Sequence, residues 1–241
     1  MKAASRRERD DQAAPSRIWA PFIQNRSGWS RKLFVGLLVY LVAGSSATAE
    51  NQSGQPHDSQ AEIEVLLKNV KEAPVDDMWV RGLSMIALAT PDAKPYAKEI
   101  AAFLKVEDPI RGYTALTLAA LEAKQYAQDI APLLKDPAFR QFAIVALAQL
   151  GATAYTNDIA LLLKDADPGV RASATWALGK LEAREYATSL RDLLQDQTEA
   201  AFDTDPIGTI RNQEKLEPTT VSVVARQVLE SWGIDPQELK E

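Results

Sequence analysis

The chain has 241 residues, with 27 Lys and Arg against 33 Asp and Glu, a single His and no Cys. The lack of Cys excludes disulfides, Cys-ligated metal centres and thiolate nucleophiles. Because His57 is the only His and lies in a polar segment, multi-His metal sites are excluded and a Ser-His-Asp triad has little support, so no cofactor is expected.

The N-terminal segment has the composition of an export signal. Residues 1–49 carry a net charge of +5, whereas the remaining 192 residues carry −11. Eleven uncharged residues, 33–43, follow a basic pair and precede small residues that include Ala47 and Ala49. This order predicts a signal peptide over residues 1–49, cleaved so that the mature chain begins at Glu50 and is periplasmic or secreted.

Two questions about this segment stay open. The uncharged stretch continues to residue 49, so residues 33–49 reach seventeen residues, the lower limit for spanning a bilayer, and an uncleaved membrane anchor is the alternative. The small and polar second half of the stretch favours cleavage. Residues 30–35 resemble the twin-arginine export motif with Lys32 in place of its second Arg, which leaves Sec-type and twin-arginine export undecided.

After a flexible polar leader, residues 50–60, the chain repeats itself. Four tyrosines are separated by 30, 29 and 31 residues, and each opens a ten-residue pattern with aliphatic residues at its fifth, eighth and ninth positions. That spacing places the aliphatic residues on one face of a helix. A degenerate further copy begins at Ile63. The tyrosines are Tyr96, Tyr126, Tyr155 and Tyr186.

A second helix is predicted to follow the first in each copy. In three copies an Asp-Pro pair stands two or three residues before an Arg; Asp suits the N-cap position and Pro the first helical position. Pro132 lies within a first helix and should kink or shorten it. No segment has a convincing strand pattern. The seventh residue after each Arg is a leucine: Leu88, Leu118, Leu147 and Leu178.

These helix pairs determine the predicted fold. A pair of about thirty residues cannot bury both of its apolar faces alone, so the copies must stack on one another. We predict an all-α fold, a right-handed α-α superhelix (solenoid) of about five helix pairs over residues 61–233. A long polar insert, residues 195–218, interrupts the fifth pair, and residues 234–241 form a C-terminal tail.

One copy carries a family resemblance. Residues 162–181, Leu-Leu-Lys-Asp-Ala-Asp-Pro-Gly-Val-Arg-Ala-Ser-Ala-Thr-Trp-Ala-Leu-Gly-Lys-Leu, resemble the HEAT-like repeats first named for the phycobilisome lyases, and the resemblance extends over residues 60–233. It implies an armadillo-like superhelix. It implies function less specifically, because that family includes bilin lyases, a deoxyhypusine hydroxylase and scaffolds. The paired His-Glu motifs of the hydroxylase are absent here, which excludes that activity.

The most periodic charged feature is a series of Asp and Arg residues at the starts of the second helices. We predict that they form a structural ladder of hydrogen bonds and caps between repeats. The alternative, an anion site, lacks a glycine-rich cradle. The predicted ladder residues are Asp108, Arg111, Asp136, Arg140, Asp167 and Arg171.

One flank of the second helices carries apolar residues that lie well away from the leucine face. These residues either pack between repeats or form an apolar groove that binds a helix or peptide of a partner. In the second case Phe142 and Trp176 would be the anchors. The candidate partner-binding residues, called the second-helix flank below, are Tyr113, Leu116, Phe142, Val145 and Trp176.

The function predicted from these features is a non-enzymatic scaffold for protein–protein interaction in the bacterial envelope. Its partner is an unidentified protein, bound through the second-helix flank or the insert. The alternative is a lyase-like or chaperone-like subunit that helps to attach a prosthetic group to a partner protein. Nucleic acid is excluded by the charge of −11 and the lack of a basic stripe. Contact with a membrane is expected only if the signal segment stays uncleaved.

Metal binding is not expected in the insert. Asp203 and Asp205 have the spacing of the first ligands in a calcium loop. Gly208 and Glu214 stand at the sixth and twelfth positions of such a loop, but the fifth position, which supplies a ligand, is Ile207.

Overall fold

A computed structural model of the protein describes residues 59–212 and 214–235. The predicted signal peptide with Ala47, Ala49 and Glu50, nearly all of the leader, and residues 236–241 lie outside the described residues. The described part is mostly helical, with eleven α-helices and two strands of two residues each. None of these helices combines the length and the apolar character needed to cross a membrane.

The elements follow one another in a regular order. Short 3-10 turns flank most of the shorter helices. The helices are α1 (Ser59–Glu72), α2 (Met78–Ala87), α3 (Ala97–Ala101), α4 (Ile110–Ala120), α5 (Ala127–Ile130), α6 (Arg140–Gln149), α7 (Thr156–Leu161), α8 (Pro168–Lys180), α9 (Ala187–Asp192), α10 (Pro206–Asn212) and α11 (Val221–Ser231). The strands are β1 (Glu199–Ala200) and β2 (Thr219–Thr220).

The helices pack in consecutive pairs. The first helices α1, α3, α5, α7 and α9 lie against the second helices α2, α4, α6, α8 and α11, respectively. Each second helix also packs against the second helix of the next pair, so α2, α4, α6, α8 and α11 contact one another in that order. Each pair therefore buries its apolar surface against its neighbours in the chain.

The first helices are shorter than the predicted ten residues. Each of the four that follow a repeat tyrosine has only four to six α-helical residues and continues into a 3-10 turn. The shortest, α5, ends at Ile130, and Pro132 stands near the start of the 3-10 turn Ala131–Lys135. Pro lacks an N–H and its ring collides with the preceding helical turn, which explains the early end of α5.

The Asp-Pro pairs start the second helices in two ways. Asp167 is the N-cap of α8, where its carboxylate accepts a hydrogen bond from the N–H of Gly169 at 2.8 Å and Pro168 is the first helical residue. Asp108 and Asp136 also accept from the N–H two residues later, at 2.9 and 3.0 Å. There the helices begin two and four residues after the Asp, because a turn intervenes.

One apolar core runs through the packed first and second helices. The four leucines at the seventh position after the Arg are fully buried in it. Burial of each such side chain contributes about 1.5–3 kcal/mol. A smaller cluster lies beneath the insert and contains Ala172, Ala200, Val221 and Val224.

The insert contains regular structure, contrary to the expectation of a chain without strands. Strands β1 and β2 pair antiparallel, with Glu199 opposite Thr220 and Ala200 opposite Thr219, and so close the base of the insert. Between them lies α10. The insert therefore leaves the fifth pair and returns to it at one point, like a closed loop with a helix inside.

Neighbouring second helices approach one another closely where glycine faces an aromatic ring. A Cβ atom on Gly112 of α4 would lie 2.8 Å from the nearest atom of the Phe142 ring on α6. At the equivalent position of α2, a Cβ atom on Gly82 would lie 3.5 Å from the Tyr113 ring, an ordinary van der Waals contact. The α4–α6 interface thus has no room for a methyl group, whereas the α2–α4 interface has.

These two glycines form a matched pair for substitution. We expect Gly112→Ala to lower the free energy of unfolding by about 1–3 kcal/mol, because the methyl group overpacks the interface. Gly82→Ala should be neutral or stabilising by about 0.5–1 kcal/mol, because Ala favours the helix and meets no obstacle. Urea unfolding followed by circular dichroism measures both, and equal losses would show that the two interfaces are equally tight.

Candidate functional site

A ladder of Arg–Asp ion pairs joins the helix pairs along one edge. Each Arg lies near the start of a second helix, and each Asp lies in the turn after the first helix of the next pair. The ladder residues therefore bridge the junctions between pairs. The ion pairs are Arg81 with Asp108 at 2.5 Å, Arg111 with Asp136 at 3.2 Å, Arg140 with Asp165, and Arg171 with Asp196 at 2.8 Å.

The ladder differs in its membership from the predicted series. Asp167 caps its own helix and is not an ion-pair partner in the ladder; Asp165 takes that place. Arg81 and Asp196, which the motif Asp-Pro-Arg does not include, are the end members. The sequence signal that finds them is the separation from Arg to Asp, which is 25 residues in three pairs and 27 in the fourth.

The ion pairs differ in burial and therefore in how much each contributes to the free energy of unfolding. The side chains of Arg81 and Asp108 are only 5% and 9% exposed, and the Arg81 Nε also donates to the carbonyl of Val70 at 3.0 Å. The other three pairs are partly open to solvent. At the far end, burial favours a higher pKa for Asp196, but hydrogen bonds from Thr198 and the Arg171 guanidinium together hold that pKa below its usual value.

Removal of an Arg should cost most where the ladder is buried. We expect Arg81→Met to lower the free energy of unfolding by about 3–5 kcal/mol, since it leaves the Asp108 carboxylate buried without its counter-charge. The same change at the more exposed Arg111 should cost only about 1 kcal/mol. Chemical denaturation of the two variants side by side measures the difference, and similar losses would mean that burial does not set the energy of the ladder.

The second-helix flank is mostly buried. Tyr113 and Phe142 are in edge-to-face contact, with ring centroids 5.5 Å apart, and burial raises the pKa of Tyr113. Leu116 and Val145 are no more than 1% exposed. Tyr113 and Phe142 therefore pack between neighbouring second helices, and Leu116 and Val145 are buried in the same core. Trp176 is only half-buried and lies against the insert.

Residues 201–211 of the insert, called the strap below, cross the second helices in the reverse of chain order. Phe202 meets Trp176 of α8 edge-on, with ring centroids 6.2 Å apart. Two side-chain amides of α6 hold the strap backbone at the next step: Gln141 donates to the carbonyl of residue 201 and Gln149 to that of residue 204, both at 2.9 Å. The strap therefore lies against α8, where it covers Trp176, and against α6.

The strap continues to the first pair. Its helix α10 packs against α4, and Ile207 is buried in the main core. At the far end the Arg211 guanidinium donates to the carbonyls of Ala89 at 3.1 Å and Ile86 at 3.4 Å, where α2 ends. Sequence reasoning missed this path; the signal available was the presence of Phe202, Ile207 and Ile210 within an otherwise polar insert.

The two aspartates with calcium-loop spacing shape the strap. Asp203 is buried, and its Oδ1 accepts hydrogen bonds from the N–H of Asp205 at 2.9 Å and the hydroxyl of Thr209 at 3.2 Å. Burial raises the pKa of Asp203. Asp205 accepts from the N–H of Gly208 at 3.0 Å. The aspartates thus hold the first turn of α10, and no group of three or more potential metal ligands occurs in the described part of the chain.

Comparison with known proteins supports the repeat assignment. The family model for HEAT repeats matches residues 127–202, from the start of α5 into the strap. A search of curated proteins finds no match to the chain. HEAT repeats are commonly scaffolds for protein interactions, and the family is generally non-enzymatic. The matched segment and the helical pairs together support a HEAT-like repeat protein.

Proposed function

We propose that the protein is a non-enzymatic scaffold that binds another protein of the bacterial envelope. The observation that carries this proposal is the strap, a polypeptide segment that lies across four second helices. It is held by amide donors to its backbone and by contacts of its side chains with the second helices. A surface that holds a segment in this way has the chemistry of peptide recognition. The acidic mature chain argues against nucleic acid as the partner.

We propose that the whole repeat region is a right-handed α-solenoid of about five pairs, with repeats of the phycobilisome lyase type. The ladder supports this architecture, because an Arg–Asp pair recurs at each of the four junctions between the five pairs. The motif of residues 162–181 supports the type of repeat. Regular junctions of this kind give a continuous surface of second helices.

We also propose that the scaffold acts outside the cytoplasm. The basic segment, the apolar run 33–43 and the small residues Ala47 and Ala49 support cleavage before Glu50 and release into the periplasm or medium. The alternative is anchoring by residues 33–49.

The site of cleavage can be measured directly. When the full chain is produced in an exporting host, N-terminal sequencing should find Glu50 as the first residue of protein recovered from the periplasm or medium. An intact Met1 in the membrane fraction would contradict cleavage and support an uncleaved membrane anchor. An intact Met1 in the cytoplasm would remove export altogether.

Partner binding can be tested with two matched apolar-to-Asp variants. The mature chain is cross-linked in the envelope fraction, and its partner is identified by mass spectrometry. Trp176→Asp should reduce capture at least about tenfold, because Trp176 is the half-buried aromatic residue of the second-helix flank. Leu161→Asp, at a 76% exposed position on the first helix α7, should leave capture unchanged.

The controls separate binding from folding and from the alternative function. Both variants should keep the helical circular dichroism spectrum of the parent chain. Equal capture by the two variants, or no stoichiometric protein partner at all, would contradict the scaffold. A complex with visible absorbance would support the lyase-like alternative, in which the chain assists attachment of a prosthetic group.

A further inference from the structure

The scaffold recognises the strap partly through backbone groups. Gln141 and Gln149 donate to main-chain carbonyls, which every peptide offers, so these contacts do not depend on the residues of the bound segment. Gly169, at the start of α8, allows the backbone to come close, since a Cβ atom there would lie 2.6 Å from the carbonyl oxygen of residue 201. This part of the site fits any segment that follows the same path.

Three side chains of the strap supply the specific contacts. Phe202 lies against Trp176, Ile207 enters the core, and Arg211 reaches the end of α2. The carbonyls that accept from Arg211 lie at and just beyond the C-terminal end of α2, where the partial negative charge of the helix dipole suits a guanidinium. The anchors are thus an aromatic residue, an aliphatic residue five positions later and a basic residue four positions after that.

The strap can leave its site without dismantling the repeats. It is tied to the fifth pair only at its base, where β1 and β2 form a ladder of two residue pairs. Phe202, Ile210 and Arg211 are only half-buried, and residues 204 and 205 are exposed. The repeat core, by contrast, is built from fully buried leucines of the helix pairs. Four strap residues are buried, Asp203, Pro206, Ile207 and Thr209, but only Pro206 and Ile207 of these are apolar. A segment with so few buried apolar contacts opens locally, before the rest of the structure.

We propose that the strap is an internal ligand, and that the partner binds by displacing it with a segment of the same chemistry. This inference rests on the proposed scaffold function. The partner segment carries an aromatic residue, an aliphatic residue at the fifth position after it and Arg or Lys at the ninth. Its backbone accepts hydrogen bonds from Gln141 and Gln149, and its basic residue takes the place of Arg211 at the end of α2.

A peptide probe tests the site in trans. The probe is a fluorescent peptide of residues 198–212, and the protein is the mature chain carrying Phe202→Ala and Arg211→Ala, which removes two anchors of its own strap. We expect this strap-released chain to bind the probe at least about tenfold more tightly than the unmodified chain, whose site is filled. A probe with Ala in place of Phe202 should lose at least about tenfold in affinity.

A glycine pair controls for the location of binding. Adding Gly169→Ala to the strap-released chain should abolish binding of the probe, because the new methyl group would collide with the bound carbonyl oxygen at 2.6 Å. Adding Gly82→Ala should leave the affinity for the probe unchanged, because position 82 has room for a methyl group. Equal binding by these two chains would overturn the assigned site.

Hydrogen exchange of the unmodified chain tests the opening even if the strap-released chain fails to fold. Amides of α10 should exchange much faster than amides of α6 and α8; exchange of all three at one common rate would overturn displacement. The envelope capture experiment separates the two proposals. A strap-released chain that captures the envelope partner but binds no probe overturns the internal ligand and leaves the scaffold standing.

Discussion

The structure depends on the burial that each helix pair obtains from its neighbours. A first and a second helix alone leave the outer side of each second helix uncovered, and the next second helix covers it. The leucines at the centre of this stack are fully buried as a result. Close approach is possible at α4 only because Gly112 leaves room for the Phe142 ring. The Arg–Asp ladder fixes the same junctions along one edge, with its most buried member at the first junction.

The strap adds contacts between helix pairs that are not neighbours in the chain. Stability in a repeat array is approximately a sum of terms for each repeat and for each junction with its neighbour. The hydrogen bond from Arg211 to the carbonyl of Ala89 joins residues 122 positions apart, and so links the insert of the fifth pair to the first pair. Opening of a terminal pair therefore disturbs the strap as well as one junction, which couples the two ends of the array.

The helix pairs could be predicted from the sequence because their signals are periodic. The tyrosine spacing and the buried Leu118 and Leu147 located the first and second helices. The ladder was located only in part: the local motif Asp-Pro-Arg indicates acids near the helix start, whereas each guanidinium reaches the turn of the following pair. Asp165 and Asp196 pair with an Arg of the preceding helix pair, which a motif confined to one helix start does not include.

The role of the second-helix flank could not be read from periodicity. The side chains of this flank lie on a face that is either open or covered. In the structure Phe142 is covered by a neighbouring second helix and Trp176 by the insert. The insert occurs once and has no repeat to compare, so its path was not predictable. Its only signal is the group of apolar residues, Phe202 among them, in a polar segment.

The closed base of the insert has a kinetic and thermodynamic consequence. Because β1 and β2 keep both ends of the strap beside its site, the strap competes at an effective concentration on the order of millimolar rather than at the concentration of the protein. A separate segment with the same intrinsic affinity, present at micromolar concentration, loses this competition about a thousandfold. Only a partner with additional contacts, or one held nearby on the same membrane or complex, gains the site.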